Sequence, residues 1–120
     1  MVLEVPPDFK QGEMMNINQS IGLVQRFRSL DTDIQMSTAY VFLIIAEAGE
    51  EGITMTDIAR KADMGLSSVS RHVSALSKVN RHREEGFNLV VSHENPMERR
   101  QRIVTLTGKG KAFINNLLKE

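Results

Sequence analysis

A stripe of polar side chains in the second half of the chain has the clearest potential for chemistry. Hydroxyl and cationic groups recur there every three or four residues, at Ser67, Arg71, Ser74 and Lys78. At about 100° per residue, this spacing places them on one side of an α-helix. The opposite side carries Val69, Val73 and Leu76. Serine and lysine donate hydrogen bonds to phosphate, and arginine can donate two to guanine. The stripe therefore indicates a surface that contacts nucleic acid.

A second group of cations lies in a segment with the pattern of a β-hairpin. Leu89–Ser92 and Arg102–Leu106 are rich in β-branched and aliphatic residues, which favours two strands. The polar stretch between them contains Asn95 and Pro96 and is predicted to form a long loop. The cations of the loop and of the second strand are Arg99, Arg100 and Arg102. A basic hairpin of this kind can lie along phosphates or enter a minor groove.

The net charge of zero conceals an uneven distribution of charge. The 120 residues contain 15 Lys and Arg against 15 Asp and Glu. Residues 1–53 hold three basic and eight acidic side chains, a balance of −5, whereas residues 54–120 hold twelve and seven, a balance of +5. The polar stripe and the basic hairpin both lie in the positive half, where a phosphate-binding face is expected.

Two predicted helices in the first half of the chain support these groups. Residues 1–13 lack apolar periodicity and are predicted to form an irregular arm. Apolar residues recur at helical spacing from Met14 to about Leu30, which predicts a first helix. Ser37 is a suitable N-cap for a second helix that is apolar nearly all round and ends at Gly49. This second helix should form the centre of the core.

A short helix and a tight turn lead into the helix that carries the stripe. Thr54, with Asp57 three residues later, resembles a capping box and predicts a third helix that stops near Asp63. The turn at residues 64–65 begins the fourth helix, which residues 81–85 are expected to prolong up to a stop at Gly86. Thr107 then caps a final helix. The apolar face of that helix is Phe113, Ile114, Leu117 and Leu118.

This order of elements predicts a single winged helix-turn-helix domain, mainly α with a small β-hairpin. The domain spans residues 14–120, with the helix-turn-helix at about 54–85 and the wing at about 89–106. In this arrangement the fourth helix enters the major groove of duplex DNA, and the wing contacts the minor groove or the backbone. The residues predicted to bind DNA are Ser67, Ser68, Ser70, Arg71, Ser74, Lys78, Arg99, Arg100 and Arg102.

Four motifs carry a resemblance to the multiple-antibiotic-resistance regulator (MarR) family. The sequences TMTDIARK at 54–61 and SSVSR at 67–71 resemble the helix-turn-helix of that family. NPMERR at 95–100 and LTGKG at 106–110 resemble its wing, with an acid-x-Arg sequence, and the Leu-Thr-x-x-Gly start of the next helix. The resemblance runs from the first helix to about Leu118. It implies that Glu98 orients Arg100 through an ion pair.

The chain departs from the family pattern at several points. Glu98 stands where aspartate is more frequent, and Gly65 stands where a serine commonly caps the fourth helix. The segment between Val79 and Leu89 is longer than the usual link and highly charged. The sequence ends at Glu120, whereas family members usually continue through a long last helix and another one that build the dimer.

The sequence as a whole predicts a transcription regulator, specifically a repressor, that binds double-stranded DNA. Two apolar faces predict a homodimer that binds an inverted repeat. They are Ile17, Ile21, Val24 and Phe27 on the first helix, and Phe113, Leu117 and Leu118 on the last. In the rival interpretation both faces pack on the second helix within one monomer. The alternative function is a winged-helix protein–protein module, either an adaptor or an antirepressor. A replication or partition protein would share the DNA chemistry.

Other classes of function lack a signature in the sequence. There is no cysteine, so thiolate zinc sites and disulfides are excluded, which fits a reducing, cytoplasmic location. His72, His82 and His93 lack the pairing and the neighbouring acids that are typical of a metal or catalytic site, and we assign them neither role. No Gly-rich phosphate loop or catalytic motif is present, so we expect no enzyme and no cofactor. The longest apolar run, residues 39–46, is too short to span a membrane. Whether an effector ligand exists is left open.

Overall fold

The computed structural model describes residues 15–119, which form five α-helices and one three-stranded antiparallel sheet. The predicted irregular arm at 1–13 lies outside these residues. In chain order the elements are α1 (Ile17–Arg28), α2 (Met36–Ala48), a 3₁₀ turn (Gly49–Glu51), β1 (Ile53–Thr54), α3 (Met55–Ala62), α4 (Leu66–Leu76), β2 (Val90–Asn95), β3 (Glu98–Leu106) and α5 (Gly108–Leu117). The mainly α winged helix-turn-helix class predicted from the sequence is confirmed.

Helix α2 lies at the centre of the core. Its side chains Val41, Phe42 and Ile45 are completely buried. The ring of Phe42 contacts Phe27 of α1 and Phe113 of α5 edge-on, with ring centroids 6.0 and 5.7 Å apart. Edge-to-face aromatic pairs of this geometry add to the stabilisation that burial alone provides. The aromatic cluster therefore joins the first, second and last helices.

Helices α3 and α4 form the predicted helix-turn-helix. The Thr54 side chain caps α3 by accepting a hydrogen bond from the N–H of Asp57, at 3.1 Å. Helix α3 ends at Ala62, and its C-cap Asp63 has a left-handed conformation (φ 54°) that turns the chain into α4. Both the predicted start and the predicted end of this helix are confirmed. The apolar side of α4, consisting of Val69, Val73 and Leu76, is buried.

The sheet has the order β1-β3-β2 and is larger than the predicted hairpin. Strand β1 contains only two residues and pairs with the middle of β3, with Ile53 opposite Val104. The predicted long loop of the wing is wrong, because β2 and β3 continue until only Pro96 and Met97 separate them. The Asn95 side chain makes this short turn possible, since its Oδ1 accepts the N–H of Met97 at 3.0 Å.

The predicted extension of α4 to residue 85 is also wrong. The helix ends at Leu76, and Ser77 adopts an extended conformation (φ −82°, ψ 171°). The chain then turns back, and its backbone N–H groups donate to the last carbonyls of α4 in place of the N–H groups of a further helical turn. Phe87 donates to the carbonyl of Ala75 at 3.1 Å, and Leu89 donates to that of Leu76 at 2.8 Å. These bonds satisfy carbonyls that a helix end leaves without partners.

Two smaller corrections concern the caps of the first helices. Helix α1 begins at Ile17 with Asn16 as N-cap, in a reciprocal capping box with Gln19. Helix α2 begins one residue before the predicted cap Ser37, with Gln35 in the N-cap position and no side-chain cap. The predicted end of α2 at Gly49 is confirmed.

Helix α5 is attached to the end of the α4–β2 connection through Thr107 and Gly110. The Thr107 hydroxyl donates to the carbonyl of Asn88 at 2.7 Å and accepts the N–H of Gly110 at 3.0 Å, as the predicted cap requires. Gly110 is buried, and a Cβ added there would collide with the backbone carbonyl of Leu89. A Cβ at Gly108, in the same helix, would meet open space.

We therefore expect Gly110→Ala to lower the free energy of unfolding by about 1–3 kcal/mol, the usual cost of inserting an atom into a packed site. Gly108→Ala is the matched control and should leave the free energy unchanged or raise it slightly, since alanine favours a helix. Urea denaturation followed by circular dichroism measures both variants. Equal unfolding midpoints for the two would contradict this account of Gly110.

Candidate nucleic-acid interface

The polar side of α4 faces solvent along most of the predicted stripe. Ser67, Ser70 and Arg71 are exposed, and Ser68 and Ser74 are half-buried. The opposite side packs against α2 and α3 through apolar residues. The structure therefore presents five of the predicted DNA-binding side chains on one helix surface.

Lys78 does not belong to this helix surface. It lies two residues beyond the end of α4, in the connection to β2, and it is exposed. The prediction that Lys78 lies on the stripe required α4 to continue past Leu76. The extended conformation of Ser77 ends the helix before Lys78. Lys78 is thus close to the end of α4 in sequence but outside its helical geometry.

The guanidinium of Arg71 is held by its own helix. Its Nη2 donates to Ser68 Oγ, one turn earlier, at 3.2 Å. This bond uses one of the five N–H donors of the guanidinium. Arg71 is therefore partly oriented before any ligand is bound, and other donors can still make a bidentate contact.

His72 occupies the inner edge of the stripe. Its Nδ1 lies 2.9 Å from Oγ1 of Thr38, which is buried in α2. Partial burial lowers the pKa of His72 below its usual range, and the positive charge of Arg71 lowers the pKa further. The neutral imidazole is therefore favoured in the folded state, and its hydrogen bond joins α4 to α2.

The arginines of the wing lie on strand β3 and not in a loop. Arg99 and Arg100 are exposed where the pairing of β2 with β3 shifts register, between Glu94↔Arg102 and Asn95↔Glu98. Such an irregularity changes the direction of side chains on the bulged strand. The two arginines consequently project from the distal part of the hairpin.

The other wing residues differ from the family-based expectation. Arg102 donates to the hydroxyl and the carbonyl of Ser92, at 2.8 and 2.9 Å, so part of its guanidinium is occupied within the sheet. Among residues 15–119, no ion pair joins Glu98 to Arg100. Instead Glu98 Oε1 accepts the backbone N–H of Arg100 at 3.4 Å. The implied ion pair is therefore wrong for this conformation, because the carboxylate folds back on its own strand.

Several cations outside the stripe and the wing are paired with acids. Arg60 contacts Asp57 at 2.9 Å, and Lys61 contacts Glu47 at 2.8 Å. The hydrogen bond from Lys61 and the charge of its ammonium hold the pKa of the Glu47 carboxyl below its usual value. These exposed pairs contribute little to stability. They do offset the positive charges of Arg60 and Lys61 on α3.

Three further exposed side chains on α4 or in the connection after it were not predicted from the sequence as DNA-binding residues. Leu66, the first residue of α4, is 55% exposed, and apolar groups in this position can contact the methyl group of thymine. Its spacing of four residues from Ser70 could have placed it on the stripe. Arg81 and Arg83 are also exposed. They were assigned to a longer helix, and no local sequence signal marks the tertiary contacts that end α4.

The predicted dimer faces are divided between core and surface. Phe27 and Leu117 are buried within the chain, and Phe113 packs against Phe27, so these three residues are not part of an exposed face. Phe27 and Phe113 pack on Phe42 of α2, and Leu117 belongs to the same hydrophobic core, which accounts for the difference. The remaining predicted residues are exposed on α1 and at the end of α5. They are Ile17 (78% exposed), Ile21 (50%), Val24 (46%) and Leu118 (66%).

Within residues 15–119, no three His, Asp or Glu side chains come close enough together to hold a metal ion. None of the helices there combines the length and the apolar character that crossing a membrane requires.

Solved structures of known proteins share this fold. A complex of S. aureus MepR with DNA aligns with 82% of this chain and 71% of its own, with a TM-score of 0.65 and 16% identity. A variant of MarR from E. coli, complexed with operator DNA, aligns with 83% of this chain and 63% of its own, with a TM-score of 0.62 and 21% identity. RV1404 from Mycobacterium tuberculosis aligns with 83% and 62%, with a TM-score of 0.65 and 16% identity.

The chain therefore has the winged helix-turn-helix fold of MarR and its structural relatives, as the four motifs predicted. At the level of sequence, no family model matches the chain and no curated protein matches it. The chain spans less than two thirds of the length of MarR and of RV1404.

The lowered pKa of His72 predicts a dependence of stability on pH. In the unfolded chain the imidazole of His72 binds a proton near pH 6.5, whereas in the folded state it binds the proton only at lower pH. Because the unfolded state then holds more protons, stability should fall as the pH drops below about 6.5 and continue to fall through the folded pKa. Urea denaturation at a series of pH values between 5 and 8, a range chosen around the ordinary histidine pKa of about 6.5, measures this loss.

His72→Asn tests whether His72 causes this loss of stability at low pH. The asparagine amide does not titrate in this range, and it places a hydrogen-bonding atom near the position of Nδ1. We expect this variant to show a smaller acid-side loss than the natural sequence. His82→Asn, at an exposed position, is the control and should retain the full loss. If His72→Asn and the natural sequence lost stability in parallel, the assignment to His72 would be incorrect.

Proposed function

We propose that this protein is a transcription regulator that binds double-stranded DNA and reads its sequence with α4 in the major groove. The exposed row of hydroxyl and guanidinium groups on α4 is the observation that carries this proposal. A helix held by a preceding helix across a tight turn is the usual element of major-groove readout. Ser67, Ser70 and Arg71 are the exposed side chains on it that can donate to base edges or phosphates.

The wing adds contacts that depend little on sequence. Arg99 and Arg100 project from the distal part of the β2–β3 hairpin, where they can neutralise phosphates or enter the minor groove. Arg102 has a smaller role in this proposal, because its guanidinium is partly engaged by Ser92. Two proteins of similar fold, MepR and MarR, were solved in complexes with DNA, which supports the same type of partner here.

A repressor is the form of regulation that we propose, since a protein seated in the major groove can block access of polymerase to a promoter. The alternative is a winged-helix module that binds another protein through α4. Such a surface would be rich in large apolar side chains. On the stripe Leu66 is exposed, beside serines and Arg71, and this composition suits a nucleic acid better.

We further propose that the protein is a homodimer that binds an inverted repeat. Exposed apolar residues on α1 and at the end of α5 form the surface available for a second copy. A two-fold dimer would place two α4 helices about 34–36 Å apart, one turn of duplex, and so match two symmetric half-sites.

Selection of bound duplexes from a random pool tests the DNA-binding proposal, and Arg71→Ala tests its geometry. A bidentate contact of arginine with guanine is worth about 1–3 kcal/mol of discrimination. We therefore expect Arg71→Ala to lose about 5- to 150-fold of the preference for the selected duplex over random duplex. Lys78→Ala is the contrasting control, since loss of one phosphate contact should weaken binding to both duplexes alike. Full preference in Arg71→Ala would refute the assigned role.

Sedimentation equilibrium tests the dimer. The natural sequence should sediment with twice the mass of one chain at a concentration of roughly 10⁻⁵ M. A dimer with an association free energy of about −8 kcal/mol is mostly formed at that concentration. The double variant Ile17→Lys, Ile21→Lys should sediment as a monomer, because four charges would be buried in the interface. Met97→Lys places a lysine on another exposed apolar residue, at the tip of the wing, and should remain dimeric. A natural sequence that is monomeric both free and with DNA would rule out the dimer.

A further inference from the structure

The connection between α4 and β2 folds into a second, smaller hairpin at residues 79–85. Val79 and Glu85 form an antiparallel bridge at its base. Asn80 closes it, since its N–H donates to the carbonyl of Glu84 at 2.9 Å and its Oδ1 accepts the N–H groups of His82 and Glu84, at 2.9 and 3.0 Å. Arg83 adopts the left-handed conformation (φ 62°) that the turn requires. We call this element the 79–85 hairpin.

The 79–85 hairpin is attached firmly to the end of α4. The N–H of Gly86 donates to the carbonyl of Lys78 at 2.9 Å, and that of Phe87 donates to Ala75 at 3.1 Å. A Cβ on Gly86 would collide with the backbone carbonyl of Ser77, so only glycine allows the returning chain to approach the helix so closely. The hairpin therefore keeps a defined position relative to α4.

The tip of the 79–85 hairpin is basic and exposed. Arg81, His82 and Arg83 occupy the turn, and all three are exposed. Arg81 and His82 also line a cleft whose other residues include Ser68 and Arg71 of the polar stripe. The hairpin thus stands directly beside the surface that the proposed function assigns to the major groove.

The position of α4 in a groove determines what the 79–85 hairpin would meet. Recognition helices contact base edges mainly through their N-terminal residues. An 11-residue helix is about 16 Å long, whereas the major groove is about 12 Å wide. When residues 67–71 lie against the bases, the C-terminal end of α4 therefore reaches the edge of the groove, where the phosphates are.

From this geometry we infer that the 79–85 hairpin is a second wing, whose basic tip binds the phosphate backbone of duplex DNA beside the groove occupied by α4. Glu84 and Glu85 balance its two arginines in net charge, so the contact depends on the tip and not on the hairpin as a whole. This inference rests on the proposed function. Arg81 and Arg83 supply the contacts, one phosphate each. Asp31 and Asp33 also line the cleft, and their charges disfavour an anion inside it. The exposed outer side of the turn is the binding surface.

The dependence of DNA binding on salt measures phosphate contacts directly. The double variant Arg81→Gln, Arg83→Asn removes both charges, and asparagine tolerates the left-handed conformation at residue 83. On a 30-base-pair duplex of random sequence, a length that spans about three turns, the slope of log K against log salt should become shallower by about two units. The ratio of affinities for the selected and the random duplex should remain that of the natural sequence.

Glu84→Gln is the matched control within the same hairpin. It removes a charge that repels phosphate, so affinity for the random duplex should rise severalfold at low salt. Opposite effects of the two variants, with unchanged unfolding midpoints in urea, would support the second wing. An unchanged slope in the arginine variant, or loss of its preference for the selected duplex, would overturn it while the proposed function stands. Failure of the natural sequence to bind either duplex would overturn both.

Discussion

The burial of α2 is the constraint on which the rest of the structure depends. Phe42 and Ile45 are fully buried, and burying a side chain of this size contributes about 1.5–3 kcal/mol. Because α2 is apolar nearly all round, the other elements must cover it on several sides. Helices α1 and α5 do so through the aromatic cluster, and α4 does so through its apolar side. Once Val69 and Val73 face α2, the serines and Arg71 of α4 must face away from it.

A second constraint acts at the end of α4, where the last carbonyl groups need donors. The chain supplies them by turning back at once, with Phe87 and Leu89 donating to the final turn of the helix. This arrangement keeps α4 short and places a hairpin with a basic tip at its end, while β2 and β3 form a basic hairpin after it. The backbone hydrogen bonds that stabilise the fold thus also arrange the cations around α4.

The charge distribution follows from the same packing. Acids of the first half pair with cations of α3 and α5, as in Glu47 with Lys61 and Glu50 with Lys111. Since these pairs are exposed, they add little stability. Their effect is that the positive half of the chain is partly neutralised on some helices, whereas the arginines at the ends of the two hairpins are outside these pairs. A net charge of zero is therefore compatible with a positive surface on one part of the molecule.

The sequence by itself determined the features whose causes are local. The caps of Thr54 and Thr107 depend on neighbouring residues and were predicted correctly. Helical period depends only on spacing, and it placed Ser67, Arg71 and Ser74 of the predicted stripe on α4. Tertiary contacts decided the rest. Helix α4 ends at Leu76, and so excludes Lys78, because the returning chain supplies its hydrogen bonds. Strand β1 forms because it pairs with β3. Phe27 belongs to the core and not to the surface, because aromatic rings of α2 and α5 pack against it. Such partners lie far apart along the chain, so no local sequence pattern predicts these contacts.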